Sequence, residues 1–348
     1  MENTPLPDTL TVRRLLPGGG EVSITPLHGD GSSRSYYRVA SEGSVFILQK
    51  GTNPKEDAAW LRINRHLRER GIRVPEVVGS DPENGLILME DLGQESLFCL
   101  AKAAKSEEEL ETLYLPVLSL LVRMQTEGAM GFSAEVGFSE PYGFDLMVNM
   151  EGGYFCREFV SNLLGLEADE KVCGDIERLA REALKAPGGY FLHRDFQSRN
   201  IHFINDEWAV IDFQGARPGP PGYDVSALLL DPYANLPKRV REKLFSRYLG
   251  LLGEVENVDV EAVRESLFPL GVFRLMQALG AFGKLGGREG KRGFLEYASP
   301  ALGILTGEFD ERGGREFPAL AGFVAEAKRR WEARSAKAVD KVIDYATE

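Results

Sequence analysis

The sequence predicts an α+β fold in two lobes. A small antiparallel β-rich lobe covers residues 1–90, and a larger α-helical lobe covers residues 91–348. Three observations lead there. Short apolar runs with strand character crowd the first lobe and are interrupted by one helical stretch. From about residue 96 the apolar spacing turns helical. One strand–turn–strand unit, residues 201–211, then stands by itself among the helices.

In chain order, Val22, Ser23 and Ile24 begin a first strand, and residues 36–39 form a second. The connection between them holds Gly31, Ser32, Ser33, Arg34 and Ser35. It is small and polar, so its backbone N–H groups can approach phosphate oxygens closely. Residues 44–50 form a third strand ending in Lys50. Trp60, Leu61, Ile63 and Leu67 share one side of a helix over residues 57–70, with Glu56 at its start. A fourth strand begins within residues 71–78 and a fifth spans 86–89. The chain then leaves the lobe through Met89, Glu90 and Asp91. Apolar spacing predicts helices over residues 107–126, 142–164 and 168–184. Residues 217–222 are rich in Pro and Gly and read as a rigid loop, after which Asp224 suits an N-cap. The remainder alternates helices with Gly turns and shows no internal repeat.

Bulk properties narrow the function. The 53 acidic and 41 basic residues leave a net charge of −12, which argues against nucleic acid or an anionic membrane as the main partner. Cys99, Cys156 and Cys173 are scattered, without a C-x-x-C, as free thiols are in a reducing compartment. Only four His are present, too few for a His-rich metal site. The first ten residues lack the basic-then-apolar pattern of a leader. No apolar run approaches the roughly 18 residues of a membrane span. These features predict a cytoplasmic protein and leave the oligomeric state open.

Two motifs carry the chemistry. Residues 193–200 place His193, Arg194, Asp195 and Asn200 in the order H-R-D-x-x-x-x-N. Asp212, Phe213 and Gln214 follow twelve residues after Asn200. Residues 201–204 and 208–211 read as strands around an Asn205–Asp206 turn. A hairpin returns its ends to one place, so Asn200 and Asp212 converge. Two oxygen ligands at one point suit Mg²⁺, which takes one or two protein ligands plus water and phosphate. A hydrogen-bonded turn between two strands is the plainer alternative. The pattern fits phosphoryl transfer, with Asp195 receiving a hydroxyl proton.

These residues resemble the aminoglycoside phosphotransferase/choline kinase family, which has the protein-kinase-like fold. Many members carry Gly where this chain has Arg194. Residues 32–39, the block 212–216 with Gly219, Pro220, Tyr223, Asp224 and Val225, and residues 279–282 with 288–291 resemble the N-acetylmuramate/N-acetylglucosamine anomeric kinases more closely. The resemblance implies ATP and Mg²⁺ as cofactors and a sugar or amino-sugar hydroxyl as acceptor. Aminoglycoside, choline or homoserine kinases of the same family are the alternatives, and a nucleotide-binding pseudokinase scaffold is a third reading.

The resemblance also distributes roles. Asp195 is the proton acceptor, His193 supports the loop, and Arg194 contacts phosphate or braces the loop. Asn200 and Asp212 hold the metal. Lys50, paired with Glu56, works with residues 31–35 on the phosphates, and Met89, Glu90 and Asp91 read the purine edge. Asp145, Glu151, Tyr154 and Arg157 are expected to touch the acceptor. Gln214 in place of Gly predicts a metal-binding segment that does not flip, and the short Pro/Gly loop after it leaves no room for a peptide platform.

Overall fold

The computed structural model describes residues 6–346 except 19, 28–33, 134, 138 and 139, with side chains as far as residue 336. Five antiparallel strands form the first sheet: β1 (Ser23–Leu27), β2 (Ser35–Ser41), β3 (Ser44–Lys50), β4 (Val77–Asp81) and β5 (Leu86–Glu90). Their spatial order is β1-β2-β3-β5-β4. Strand β5 is buried from Leu86 to Met89 without alternation because both its faces are covered. On its outer face Val12 and Leu16, from and just after helix α1 (Thr9–Leu15), pack with Tyr37, Val39, Leu48 and Leu88.

Helix α2 (Pro54–Glu69) crosses the other face. Its start is fixed by Asn53, whose side chain accepts from the Lys55 N–H, and by Pro54 in the first turn. Trp60, Ile63 and Leu67 then join a core that also contains Leu118 and Leu121 of α4 (Glu107–Thr126) and Phe213. One apolar cluster therefore runs from the sheet into the helical part. Ser106 caps α4 by accepting from the Glu109 N–H, and the Glu109 carboxylate returns to the Lys105 N–H.

The helical part continues with α3 (Leu97–Ala103), a wide-turn segment over residues 146–161, α5 (Asn162–Leu164) and α6 (Glu170–Ala183). After the catalytic segment come α7 (Gly222–Leu229), α8 (Lys238–Gly253), α9 (Val260–Phe282), α10 (Ala298–Glu308) and α11 (Pro318–Ala346). Helix α9 is the centre of the second large core, with Leu270, Phe273, Met276 and Leu279 buried. With its extension to Arg288 it is long and apolar enough to pass for a membrane span, contrary to the sequence expectation. The protein itself covers 83% of its most apolar window, so its apolar surface is spent on the core.

Two details differ from expectation. Arg217–Gly219 is a short strand (β9) paired with β6 (Tyr190–Leu192), not a free loop. A three-residue edge strand tolerates Pro218 because little of the ladder needs its missing N–H. Asp224 lies inside the first turn of α7 rather than at its cap, which is Pro221. The three cysteines are free, as expected.

Candidate active site

The catalytic segment is a hairpin hung between the two lobes. Strands β7 (Ile201–Ile204) and β8 (Glu207–Val210) pair in register from Ile201↔Val210 to Ile204↔Glu207. Asn205 and Asp206 both have positive φ, 51° and 60°, the left-handed pair a two-residue hairpin turn requires. At the open end, the Ile211 N–H donates to the Asn200 carbonyl (3.0 Å). That bond sets Asn200 beside Asp212, with Nδ2 of Asn200 3.4 Å from Asp212 Oδ2. The same amide donates to the Asp195 carbonyl (2.9 Å).

His193 is fully buried and acts as a strut. Its Nδ1 accepts from the Asp195 N–H (3.2 Å), so its Nε2 carries the proton and donates to the Ile211 carbonyl (3.0 Å). Burial pushes its pKa down to about 4, which keeps this neutral tautomer in place. The carboxylate of Asp224 accepts from the backbone N–H groups of His193 (2.6 Å) and Arg194 (2.9 Å). This is why Asp224 does not cap its own helix.

Arg194 braces the loop from behind and does not line the cleft. Its φ of 76° is a conformation that favours glycine. Its guanidinium pairs with Glu151 (2.6 Å). Glu151 is wholly buried and also accepts from Tyr142 (2.6 Å) and Tyr223 (2.8 Å). Glu151 is therefore a loop anchor and not an acceptor contact.

Between the lobes lies a cavity of about 800 Å³. Asp195, Asn200 and Asp212 line it from the hairpin and its flanks, and Met89, Glu90 and Asp91 line it from the end of β5 and the residue after it. Glu90 is held by Arg73 (2.5 Å) and Asp91 by Arg38 (3.0 Å). Asp212 is turned into the cavity and adopts φ 66°, while Gln214 donates to its Oδ1 (2.6 Å). Phe213 stacks on Trp60 of α2 with centroids 5.0 Å apart, a contact that contributes about 0.5–1.5 kcal/mol beyond burial. A second groove holds Arg68, Arg73 and Arg123. Those arginines pair with Glu76, with Glu90 and Glu207, and with Glu127, and no motif residue reaches them.

Strand β3 alternates, so Ile47 and Gln49 line the cavity whereas Leu48 packs in the outer core. Lys50 falls on the Leu48 side and is not among the lining residues. The expected Lys50–Glu56 pair is consequently not formed. Arg34, just ahead of β2, takes Glu56 (3.4 Å) and Asp57 (3.7 Å) instead. Gln49 joins this group by donating to Asp57 Oδ1 (3.5 Å). Ser35 starts β2 opposite Lys50. Gly31, Ser32 and Ser33 lie outside the described residues.

The other expected acceptor contacts lie elsewhere too. Asp145 is exposed, Arg157 pairs with Glu158 (3.2 Å), and Tyr154 packs against Gly280. The cavity wall beside Asp195 is made by Gln197, Arg199 and Tyr233, and by Arg274, Gln277 and Phe282. One sequence signal pointed there: Arg274 is a lone charge in the otherwise apolar run of α9.

Burial, and next the charge of Asp195, raise the Asp212 carboxyl above the usual range. Asn200 and Asp212 stand side by side on the cavity wall, where one cation can reach both. No cluster of three or more His, Cys, Asp or Glu exists among the described residues. A hard ion completed by phosphate oxygens and water, as Mg²⁺ is, fits Asn200 and Asp212.

Residues 23–259 match the phosphotransferase enzyme family. The chain belongs to this family. It is similar to the N-acetylmuramate/N-acetylglucosamine kinase of Pseudomonas aeruginosa, 26% identical over 289 residues, or 80% of this chain and 82% of that one. A kinase of the same name from Neisseria meningitidis is 26% identical over 281 residues, 78% and 81% of the two chains. In fold it matches a choline/ethanolamine kinase family protein from Mesorhizobium loti with a TM-score of 0.59 at 14% identity, over 92% and 98%. The protein is thus a phosphotransferase of protein-kinase-like fold acting on a hydroxyl of a small molecule. Membership in a kinase family implies ATP as the donor.

Proposed function

We propose that this phosphotransferase moves the γ-phosphoryl group of ATP to the anomeric hydroxyl of N-acetylmuramate or N-acetylglucosamine. The character of the cavity wall beside Asp195 carries this reading. A polyamine antibiotic or choline needs uncompensated carboxylates or an empty aromatic cage. Here Glu90 and Asp91 are already paired, and Asp195 faces Arg274 at 3.8 Å. The aromatic group of Phe98, Tyr233 and Tyr297 is filled by the protein's own Arg199, 4.1 Å from the Tyr233 ring centre. Amides, arginines and rings suit a neutral or anionic polyol. The names of the relatives point the same way.

In this reading residues 1–90 are the nucleotide-binding lobe and residues 91–348 the catalytic and acceptor-binding lobe. Met89, Glu90 and Asp91 meet the purine edge, while Gly31, Ser32, Ser33, Arg34 and Ser35 meet the phosphates. Asp195 orients the acceptor hydroxyl. The bond from that oxygen to the γ-phosphorus forms, the β–γ bridging bond breaks, ADP departs, and Asp195 takes the proton late. An anomeric hydroxyl is more acidic than an ordinary alcohol and asks little of its base. Asn200 and Asp212 would hold Mg²⁺, which would neutralise phosphate charge. The setting we propose is the cytoplasm.

An acceptor screen with labelled ATP tests the reading. The expected product from N-acetylglucosamine has lost its reducing end and releases phosphate in mild acid. Phosphorylation of aminoglycosides or choline, with none on amino sugars, would overturn it.

A further inference from the structure

The guanidinium of Arg274 is a buried cation beside the reacting carboxylate and is short of hydrogen-bond acceptors. The residue is 5% exposed, yet it lines the cavity. Its hydrogen bonds go to Gln277 Oε1 and Gln197 Oε1 (3.1 Å), and Nη2 stands 3.8 Å from Asp195 Oδ1. Its Nε has no partner. A guanidinium carries five N–H donors, so a buried one with two hydrogen bonds is short of acceptors. Both bonded amides give it their oxygens, which aligns the group without filling it. No other basic residue comes within ion-pair reach of Asp195 among the described residues.

We propose that Arg274 is an acceptor-binding and specificity residue, donating to the carbonyl oxygen of an acetamido group beside the hydroxyl that is phosphorylated. Geometry favours this site, because a group next to the hydroxyl held by Asp195 falls beside the cation that faces Asp195. Charge favours a neutral oxygen over a carboxylate. Asp195 stands beside Arg274, and the field of Asp231 also reaches it, so its charge is already balanced. Ala278 and Phe282 line the same cavity from the same helix and offer apolar surface to the methyl group. The inference rests on the amino-sugar reading above and adds its chemical requirement: the N-acetyl group, rather than a lactyl carboxylate, is what the protein selects.

The test compares N-acetylglucosamine, N-acetylmuramate, glucosamine and glucose with the wild type, Arg274→Gln and Arg274→Lys. The wild type should use both acetylated sugars and discriminate against glucosamine and glucose by 100-fold or more in kcat/KM. Arg274→Gln should raise KM for the acetylated sugars about 10- to 100-fold, collapse that discrimination, and leave the Kd for an ATP analogue within about twofold. Arg274→Lys, which keeps charge but not the fork, should fall between; it also serves if the Gln variant does not fold. A variant that slows all four acceptors equally, or keeps the wild-type discrimination, would overturn the role of Arg274 alone. A larger loss on N-acetylmuramate than on N-acetylglucosamine would assign Arg274 to the carboxylate and refute the acetamido claim. A wild type inactive on every amino sugar would instead overturn the functional reading itself.

Discussion

Asp195 and Glu151 are both acidic, and only one faces the chemistry. Asp195 opens onto the cavity, whereas Glu151 is sealed behind the loop with Tyr142, Tyr223 and Arg194. Asp195→Asn should lower kcat by about 10²–10⁴ while nucleotide affinity stays near wild type, since a lost base removes proton transfer and not binding. Isothermal titration beside steady-state kinetics checks the split. Glu151→Ala should cost about 3–5 kcal/mol of stability, because it strands a buried guanidinium. Adding Arg194→Gly should recover part of that loss, since it removes both the stranded charge and a left-handed non-glycine residue. Urea unfolding of the single and double variants checks this. Motif spacing identified His193, Asp195, Asn200 and Asp212, which converge as the hairpin requires. It could not separate Glu151 from a surface acid, because burial and partners distant in sequence are not encoded locally.

Strand β3 and the catalytic loop show how an element assigns roles. In β3 the pleat sends Gln49 toward the cavity and Lys50 away from it. Lys50→Ala should therefore leave KM for ATP within about twofold, and a larger rise would refute the register argument. In the loop, burial moves two titrations in opposite directions. The pKa of His193 falls to about 4 from 6.5, so the unfolded chain binds that proton first. Its contribution to stability is complete above about pH 6.5 and is lost as pH falls toward about 4. The pKa of Asp224 rises to about 7 from 3.8, so the folded protein binds that proton first. Its contribution grows as pH falls through that window. Each proton carries about 1.4 kcal/mol per pH unit, so the two slopes offset between about pH 4 and 6.5. Asp224→Asn should uncover the histidine: relative to wild type, it loses stability on acidification below about pH 6.5. Urea titrations at about pH 7, 6 and 5 measure the difference. A variant that parallels the wild type would remove Asp224 from the balance.

At the scale of the molecule, the cavity is walled by both lobes, so a ligand that binds there ties them together. A non-hydrolysable ATP analogue at 100 times its Kd should stabilise the protein by about 2.7 kcal/mol. Chelating Mg²⁺ should weaken that gain, because Asn200 and Asp212 alone offer a divalent ion too few ligands. Thermal melts with analogue, with analogue and EDTA, and with EDTA alone test both points; an unchanged melting temperature in the first would remove the nucleotide from this cleft. The two-lobed order of elements, the catalytic hairpin and the class of chemistry are all legible along the chain. Those rest on period, spacing and turn residues, which are local properties. Packing sets which cation meets Glu56, which acid braces Arg194, and that Arg274 of α9 stands beside Asp195. Arg274 and Asp195 are far apart in the chain, and only the packing of α9 through the core brings them together. Arg274 is the one charge between Leu267 and Phe282, a local sign that it needs a partner; the fold alone said which one.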